Sequence, residues 1–332
     1  MNATGHELTD PFEIGGVPIS NRVLLAPLAG IGNWFVRLQA KRHGAGLAVS
    51  EMVSSFALHY RNERTLRELM RIHPDEHPVS LQLFGHDPEV MRSGAAIAAE
   101  AGADLIDINM GCPVPKVRKT GAGAQLLRDH ELALALAAGA IEGGGGVPVT
   151  VKLRSGIEAG DRSGFELAIR LVEEAGVAAI AFHPRAASKG HSGSPDYALT
   201  RELVERLQVP VIVSGGLDSA EAARRAFAES GADAVMIARG SFGNPWVFEE
   251  LTGRRQQPPS RREMTDELLW VVDRAEEHLG GARAQRYLRK FYPWYVGRLE
   301  APPEVADELQ RSADLARARE LIGALAAPVT VA

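Results

Sequence analysis

The chain has 332 residues, of which 45% are hydrophobic and 24% charged, and its formal net charge is −5 at pH 7. These values are typical of a globular protein that buries one large core and has room for a second, smaller domain. The net negative charge argues against a protein that grips nucleic acid with its whole surface, although it leaves room for a local basic patch.

The single cysteine excludes an internal disulfide framework and a cysteine-rich zinc site. The polar segment Met1–Pro11 does not resemble a signal peptide, and the longest apolar run, Leu132–Ile141, is too short to span a bilayer. We therefore expect a cytoplasmic protein with no membrane association and no metal site. A monomer is favoured.

Eight apolar, β-rich runs alternate with helical patterns. The runs are Val23–Ala29, Leu47–Val53, Pro78–Gly85, Leu105–Gly111, Val147–Arg154, Ala178–Arg185, Val209–Gly216 and Ala234–Gly240. The helical patterns are Pro88–Ala101, Asp129–Glu142, Gly164–Ala175, Leu199–Leu207 and Ser219–Ser230. This alternation predicts an α/β fold with a parallel sheet. Eight units favour a closed (β/α)8 TIM barrel, which typically needs ~250 residues, over a doubly wound open sheet.

Nearly every predicted strand ends in a side chain that can donate, accept or carry charge. In a (β/α)8 barrel these ends lie together and carry the chemistry. Taken singly, each has a structural alternative, such as a satisfied core histidine at His183 or an acid-paired Lys152. Their shared position favours a functional site. The residues are Pro27, Leu28, Ala29, Glu51, Gln82, Asn109, Cys112, Lys152, Arg154, His183, Arg185, Ser214, Gly215, Gly216, Ala238 and Arg239.

The segments Ser214–Gly216 and Ala238–Gly240 follow the seventh and eighth predicted strands, where barrels bind phosphate. Their backbone amides can approach an anion closely, and Arg239 adds a bidentate donor. We expect a phosphate site here, and the phosphate could belong to FMN, a nucleotide or a sugar phosphate.

The stretch Asp107–Val117 contains the only cysteine of the chain. A short buried strand is expected to end here in a turn that presents Asn109, Cys112 and Lys116 among a glycine and two prolines. Proline fixes φ near about −65° and lacks an N–H, so we expect a loop that continues as neither strand nor helix. A lone cysteine is often a small buried hydrophobic residue, but the rigid loop around Cys112 favours a thiol that is held in a defined orientation for function.

The character of the sequence changes near Gly253, which predicts a barrel domain over residues 1–253 and a helical domain over 254–332. Within the second domain, Ala282–Arg298 has no acidic residue and interleaves five cations with five aromatics. That mixture suits phosphate contact and base stacking. The alternative is a helix whose aromatics form its core stripe and whose cations form its solvated face. The segment Glu304–Leu325 predicts one further packing helix.

Together these residues resemble the bacterial tRNA-dihydrouridine synthase family over about Leu25 to Arg298. The most specific motif is Asn109–Pro113 with Lys116. The supporting motifs are Ala26–Gly30, Ser50–Val53, Gln82–Gly85, Lys152–Gly156, Gly243–Trp246, Arg289–Phe291 and Trp294–Tyr295. The resemblance implies an FMN-bearing barrel and a helical tRNA-binding domain, which reduce the C5–C6 double bond of uridine in the tRNA D-loop with NADPH as the reductant.

The resemblance also implies roles for single residues. Cys112 would be the general acid that protonates C5 after hydride reaches C6, since thiols, with pKa values near ~8.5, stay protonated at neutral pH yet give up the proton readily. The cofactor-binding residues would be Pro27, Leu28, Ala29, Gln82, Lys152, His183, Ser214, Gly215, Gly216, Ala238 and Arg239. The substrate-binding residues would be Asn109, Lys116, Arg154, Arg283, Arg286, Arg289 and Lys290.

The sequence departs from the family pattern at several of these positions. Leu28 stands where methionine is usual, Ser214–Gly216 where Asn-Gly-Asp is usual, and Ala238 where glycine is usual. Pro184–Ala187 replaces a Gly-Arg-Thr-Arg segment, and Lys189 and His191 are candidate substitutes for the lost side chains. Two alternatives remain open: an FMN-dependent barrel oxidoreductase that acts on a free small molecule, and a non-catalytic tRNA-binding protein.

Overall fold

The computed structural model describes residues 4–327, which fall into two compact units that divide between Gly240 and Ser241. The division lies earlier than the boundary expected after residue 253. The reason is local packing within the second unit: the ring of Phe242 stacks on that of Trp294 with centroids 4.3 Å apart, so the segment after Gly240 packs with the C-terminal helices.

The strands of the first unit follow the predicted runs closely. They are β1 (Phe12–Ile14), β2 (Val17–Ile19), β3 (Val23–Leu25), β4 (Leu47–Val49), β5 (Val53–Ser54), β6 (Val79–Phe84), β7 (Leu105–Met110), β8 (Val149–Arg154), β9 (Ala179–His183), β10 (Val211–Ser214) and β11 (Ala234–Ile237). The two short strands β1 and β2 form an antiparallel hairpin, and β5 pairs with the end of β6.

The remaining eight strands form a closed parallel ring. In spatial order they are β3, β4, β6, β7, β8, β9, β10 and β11, and β11 pairs with β3. The pairing of β4 with β6 completes the ring on the other side. The (β/α)8 barrel expected from the sequence is confirmed.

Along the chain, helices alternate with the strands of the barrel. Those of the first unit are α1 (Trp34–Arg42), α2 (Ser55–His59), α3 (Glu63–Glu68), α4 (Pro88–Glu100), α5 (Pro115–Arg118), α6 (His130–Gly144), α7 (Ser163–Glu173), α8 (Tyr197–Arg206) and α9 (Ala220–Ser230). Asp87, Asp129, Asp196 and Ser219 each accept a hydrogen bond from a first-turn amide and so cap α4, α6, α8 and α9.

One helix lies where we expected only a loop. Pro115 occupies the first turn of α5, directly after the cysteine segment. Proline is well tolerated at this position because the first amide of a helix has no intrahelical partner, so Pro115 begins a single helical turn after the loop that follows β7.

The barrel has an outer and an inner apolar layer. Outward-facing strand residues such as Ile106 and Val151 pack against helix residues such as Met91 and Leu136. The inner layer is filled by side chains from several strands, together with Ile14 and Ile19 of the β-hairpin. A methyl group on Gly15 would collide with Pro148, which precedes β8, so the hairpin covers the N-terminal end of the barrel.

The second unit is helical in the part of the chain that the structure describes. Its helices are α10 (Trp246–Leu251), α11 (Arg261–Leu279), α12 (Gly281–Leu288), α13 (Tyr292–Arg298), α14 (Pro303–Arg311) and α15 (Leu315–Ala324). The prediction of a single helix over Glu304–Leu325 is wrong, because the structure has two helices there. Ser312 leaves helical geometry, and Asp314 caps the second helix by accepting from the amide of Arg317.

A fully buried ion pair connects α1 to the segment before β6. Arg37 donates to both carboxylate oxygens of Glu76, at 2.7 and 3.0 Å, and also to the carbonyls of Gly32 and Arg71. We expect Glu76→Gln to lower the free energy of unfolding by about 3–5 kcal/mol, because it leaves the guanidinium buried without its counter-charge. Urea unfolding measures this. The exposed-pair variant Glu142→Gln is the control, and an equal effect there would contradict the explanation.

Candidate functional site

A cavity of about 260 Å³ opens among the segments that follow the barrel strands. The segments at the ends of all eight barrel strands contribute to its walls. Inward-facing positions recur every second residue along each of these strands. The residues that line it are Ala26, Pro27, Ala29, Met52, Gln82, Asn109, Gly111, Cys112, Pro113, Val114, Lys152, Arg154, His183, His191, Ser214, Gly215, Gly216, Leu217, Asp218, Met236, Ala238 and Arg239.

A chain of hydrogen bonds lies across β6 and β7 at the base of the cavity. The Gln82 amide donates to Oδ2 of Asp107 at 2.6 Å and accepts at 2.9 Å from the Asn109 amide. Oδ1 of Asn109 accepts from the backbone amides of Gly111, at 3.3 Å, and Cys112, at 2.9 Å. The conformation of the cysteine loop is therefore tied to side chains inside the barrel.

Asp107 is a carboxylate in the barrel interior. Its side chain is 2% exposed, and its second oxygen accepts from the Thr150 hydroxyl at 2.6 Å. Burial raises the pKa of Asp107 to about 6, although the hydrogen bonds from Gln82 and Thr150 and the charge of Lys152 oppose the rise. At neutral pH the group is charged, because that value still lies below 7.

Lys152 brings a positive charge to the same cavity. Burial, assisted by the nearby Arg154, lowers the pKa of Lys152 to about 8, with Asp107 acting in the opposite direction. Within residues 4–327 its ammonium group makes no hydrogen bond. An unpaired cation that lines a cavity is suited to an anionic or electron-rich ligand.

Arg154 links two loops at the rim. Its Nε donates to the carbonyl of Gly111 at 3.1 Å, and its Nη1 donates to the carbonyls of Ala186, at 3.3 Å, and Gly190, at 2.8 Å. These bonds join the cysteine loop to the loop that follows β9. Nη2 makes no hydrogen bond to any residue in the described part of the chain, so part of the guanidinium is available to a ligand.

His183 is held as a neutral imidazole. Burial lowers its pKa strongly, and the positive charges of Arg154, Lys152 and Arg185 lower it further. Nη1 of Arg185 lies 3.2 Å from Nε2 of His183. Because a guanidinium can only donate, Nε2 accepts and the ring proton is on Nδ1.

The glycine segment after β10 forms a close-fitting backbone cradle. Gly215 has φ +93°, and a methyl group there would come within 2.2 Å of Nε2 of His183. Only glycine combines this φ with this contact. Arg239, after β11, lies 3.4 Å from the carboxylate of Asp218 and is about half exposed, so its guanidinium remains accessible to an anion in the cavity.

Most of the predicted site residues of the first unit line this cavity, and four do not: Leu28, Glu51, Lys116 and Arg185. Glu51 accepts from the amide of Gly30 at 2.8 Å, and Arg185 donates to the carbonyl of Gly193. Leu28 is buried, and its carbonyl accepts from the amides of Ile31 and Gly32. Lys116 is exposed on α5 and lies outside the lining. Sequence reasoning missed Asp107, Thr150, Met52 and Asp218. The signal for Asp107 was available, because it stands two residues before Asn109 and so faces the same side of β7.

The basic–aromatic segment of the second unit forms α12, α13 and their connection. Leu288 and Phe291 are buried, whereas Arg286, Arg289 and Lys290 are exposed and Arg283 is half-buried. The Lys290 ammonium lies 5.2 Å from the ring centre of Tyr287. The apolar side chains therefore contribute to the core of this unit while most of the cations face outward.

A closed parallel barrel with a cationic cavity at the C-terminal ends of its strands defines a class of enzymes that bind a cofactor or substrate at that end. The chain belongs to the dihydrouridine synthase family, whose model, "Dihydrouridine synthase (Dus)", matches residues 24–328. It is 38% identical over 291 residues to tRNA-dihydrouridine synthase B of Xanthomonas axonopodis pv. citri, which covers 86% of each chain. It is 35% identical to tRNA-dihydrouridine synthase B of Pseudomonas aeruginosa, which covers 91% of each.

Solved structures share the barrel at low sequence identity. Morphinone reductase in complex with tetrahydroNAD aligns with a TM-score of 0.55 and 17% identity, covering 78% of this chain and 94% of that one. The old yellow enzyme homologue from Zymomonas mobilis aligns with a TM-score of 0.58 and 16% identity, covering 78% and 96%. At these identities the likeness shows the fold alone. No helix among residues 4–327 is long and apolar enough to cross a membrane.

The lowered pKa of Lys152 predicts a pH-dependent effect on stability. The folded protein releases this proton near pH 8, whereas the unfolded chain keeps it to about pH 10.5, so this group makes the wild type more stable as pH rises between those values. We expect Lys152→Met to raise the Tm of the ligand-free protein at pH 7 and the gain to shrink above pH 8. Calorimetry at pH 7 and pH 9.5 measures this.

Lys189→Met, at an exposed lysine on the rim loop, is the control for loss of an ammonium group and should leave the Tm unchanged. A Lys152→Met variant that is less stable than the wild type at pH 7, or whose gain grows with pH, would contradict the burial argument.

Proposed function

We propose that this protein reduces the C5–C6 double bond of a D-loop uridine in tRNA, with FMN in the barrel cavity and NADPH as the reductant. The observation that carries the proposal is that Cys112, the only cysteine of the chain, lines the same cavity as Lys152 and the glycine cradle. The named relatives are tRNA-dihydrouridine synthases and match along most of their length, which supports the same activity here.

The residues of the cavity fit a flavin mononucleotide. The cradle at Gly215 and Gly216 and the accessible guanidinium of Arg239 suit its phosphate. The otherwise unpaired ammonium of Lys152 and the amide of Gln82 suit the polar edge of the ring. Ala26, Pro27 and Met236 supply apolar wall for its faces. Ser214–Gly216, which replaces Asn-Gly-Asp, thus keeps backbone donors at the phosphate end although it lacks the two polar side chains.

When bound, the flavin supplies the hydride that reaches C6 of the uracil. The residues of the chain do the rest. The thiol of Cys112 gives its proton to C5 as the C5–C6 π bond is lost, and the resulting thiolate takes up a proton from water, which restores the acid and balances the reaction. Asn109 fixes the loop that presents the thiol, through its bonds to the amides of Gly111 and Cys112.

Negative charge develops on a uracil oxygen as the hydride is transferred to C6, and the positively charged groups of the cavity can stabilise it. Nη2 of Arg154 is available to that oxygen, while the other donors of the same guanidinium hold the two rim loops together. His183, neutral and with its proton on Nδ1, can offer a hydrogen bond without adding to the positive charge. The uridine must leave the RNA stack to reach this depth.

The exposed cations of α12 and the following turn suit the tRNA backbone. Arg286 and Arg289 form no ion pair within the part of the chain that the structure describes, so both charges are available to phosphates. Lys116, exposed on α5 beside the cysteine loop, offers a further contact near the cavity. A tRNA substrate and a reduced thiol both belong in the cytoplasm, where we place the protein.

Replacing the acid tests the chemistry. We expect Cys112→Ala to keep FMN and tRNA binding and to lose about 10²- to 10⁴-fold in dihydrouridine formation, the range for a lost general acid. Mass spectrometry of digested tRNA measures the product, and flavin absorbance measures the cofactor. Cys112→Ser is the matched control for size and should also be impaired, because a hydroxyl is a much weaker acid. Turnover at the wild-type rate in Cys112→Ala would mean that another group supplies the proton.

Removing exposed cations tests the RNA surface. We expect Arg286→Ala and Arg289→Ala each to weaken tRNA binding and to reduce the slope of log affinity against log salt by about 1, because each removes one phosphate contact. Filter binding across a salt series measures both. Arg311→Ala is the control, since Arg311 is exposed on α14 but paired with Asp307. A slope that stays unchanged in all three variants would make the segment purely structural.

A further inference from the structure

We propose that Asp107 is a positioning residue for the reaction: its carboxylate sets the orientation of the Gln82 amide and, through Asn109, holds the loop that presents Cys112. The significance of this for catalysis rests on the function proposed above. The hydrogen-bond chain itself involves only side chains and backbone of the first unit and can be tested without reference to turnover.

The direction of each hydrogen bond in this series can be deduced from its outer end, at Asn109. The backbone amides of Gly111 and Cys112 can only donate, so the group of Asn109 that faces them must be Oδ1. The amide nitrogen of Asn109 then faces Gln82 and requires an acceptor there, which is Oε1. The nitrogen of Gln82 is left facing the barrel interior, where it needs an acceptor of its own.

The inner end of the series, at Asp107, requires the same orientation of the Gln82 amide independently. An ionised carboxylate can only accept, so Asp107 admits only the nitrogen of Gln82 at one oxygen and the hydroxyl hydrogen of Thr150 at the other. An amide alone could be turned over at little cost, because its two ends have nearly the same shape. Here each end of the Gln82–Asn109 pair is fixed by a partner whose role cannot be exchanged.

Position 107 is a costly place for a charge. Gln82 is fully buried and Asp107 nearly so, and burial raises the pKa of Asp107, which means that the charged form is disfavoured in the folded protein. An apolar side chain would fit a barrel interior at lower cost in desolvation. The carboxylate is therefore better explained by what it orients than by a contribution to stability.

The test is backbone hydrogen exchange at Gly111 and Cys112, measured by mass spectrometry on the full-length protein with and without FMN. Asp107→Leu removes the acceptor, so we expect exchange at these two amides to accelerate by about tenfold, the factor that corresponds to one hydrogen bond of typical strength. Asp107→Asn can still present an oxygen to Gln82 and its amide nitrogen to the Thr150 oxygen, so exchange should stay within about twofold of the wild type.

Thr150→Val is the matched control. It removes the other hydrogen bond of the same carboxylate but leaves the bond to Gln82, so exchange at Gly111 and Cys112 should not change. If Thr150→Val and Asp107→Leu accelerate exchange equally, Asp107 serves general packing and the proposal is wrong. If Asp107→Leu leaves exchange unchanged, the proposal is wrong as well.

A polarity swap covers the case in which Asp107→Leu does not fold. Asn109→Asp places a carboxylate oxygen against Oε1 of Gln82, so that two acceptors face each other, and exchange should accelerate. Adding Asp107→Asn allows the Gln82 amide to turn over and satisfies every group again at the same net charge, so protection should return. Failure of the double variant to restore protection would overturn the proposal. Neither outcome depends on whether Cys112 is the acid.

Discussion

Closure of the eight-stranded ring by the pairing of β11 with β3 is the constraint on which the rest of the first unit depends. A closed parallel barrel has no free edge, so every second residue of each strand must face the interior. Toward the N-terminal ends these positions are apolar and are covered by the hairpin residues Ile14 and Ile19. Toward the C-terminal ends they are polar, and the same alternation that builds the core gathers Gln82, Asn109 and Lys152 around one cavity.

The polar layer is built at a cost to folding. Burial raises the pKa of Asp107 and lowers that of Lys152, so each charged group is less favourable in the folded protein than in water. They partly offset each other by attraction, and Asp107 is further stabilised by two hydrogen bonds. Groups of this kind are typical of sites where function, and not stability, determines the residue. Arg154 has two roles, since its guanidinium joins the two rim loops by hydrogen bonds and also lines the cavity.

The sequence was sufficient for the barrel and for most of the cavity lining. Apolar runs and their spacing carry the strand and helix pattern locally, and the position of a residue at a strand end predicts that it meets its counterparts. The orientation of individual side chains and local changes of backbone geometry were not predictable in this way. Leu28 occupies a strand end but turns into the core, and Ser312 breaks a continuous helical pattern by its backbone geometry. The spacing of Asp107 from Asn109 already places both on the same face of β7, but the bond by which Asp107 orients the Gln82 amide follows only from the side-chain contacts.

The proposed reaction requires that the uridine binds in the cavity beside Cys112. The rate of iodoacetamide alkylation in the flavin-loaded protein tests this directly, because the chain has one cysteine and every mass adduct on that residue type reports on it alone. We predict that saturating tRNA that lacks dihydrouridine slows the alkylation of Cys112 by about tenfold or more, since the flipped base would cover the thiol. Alkylation at the same rate with and without bound tRNA would contradict the account.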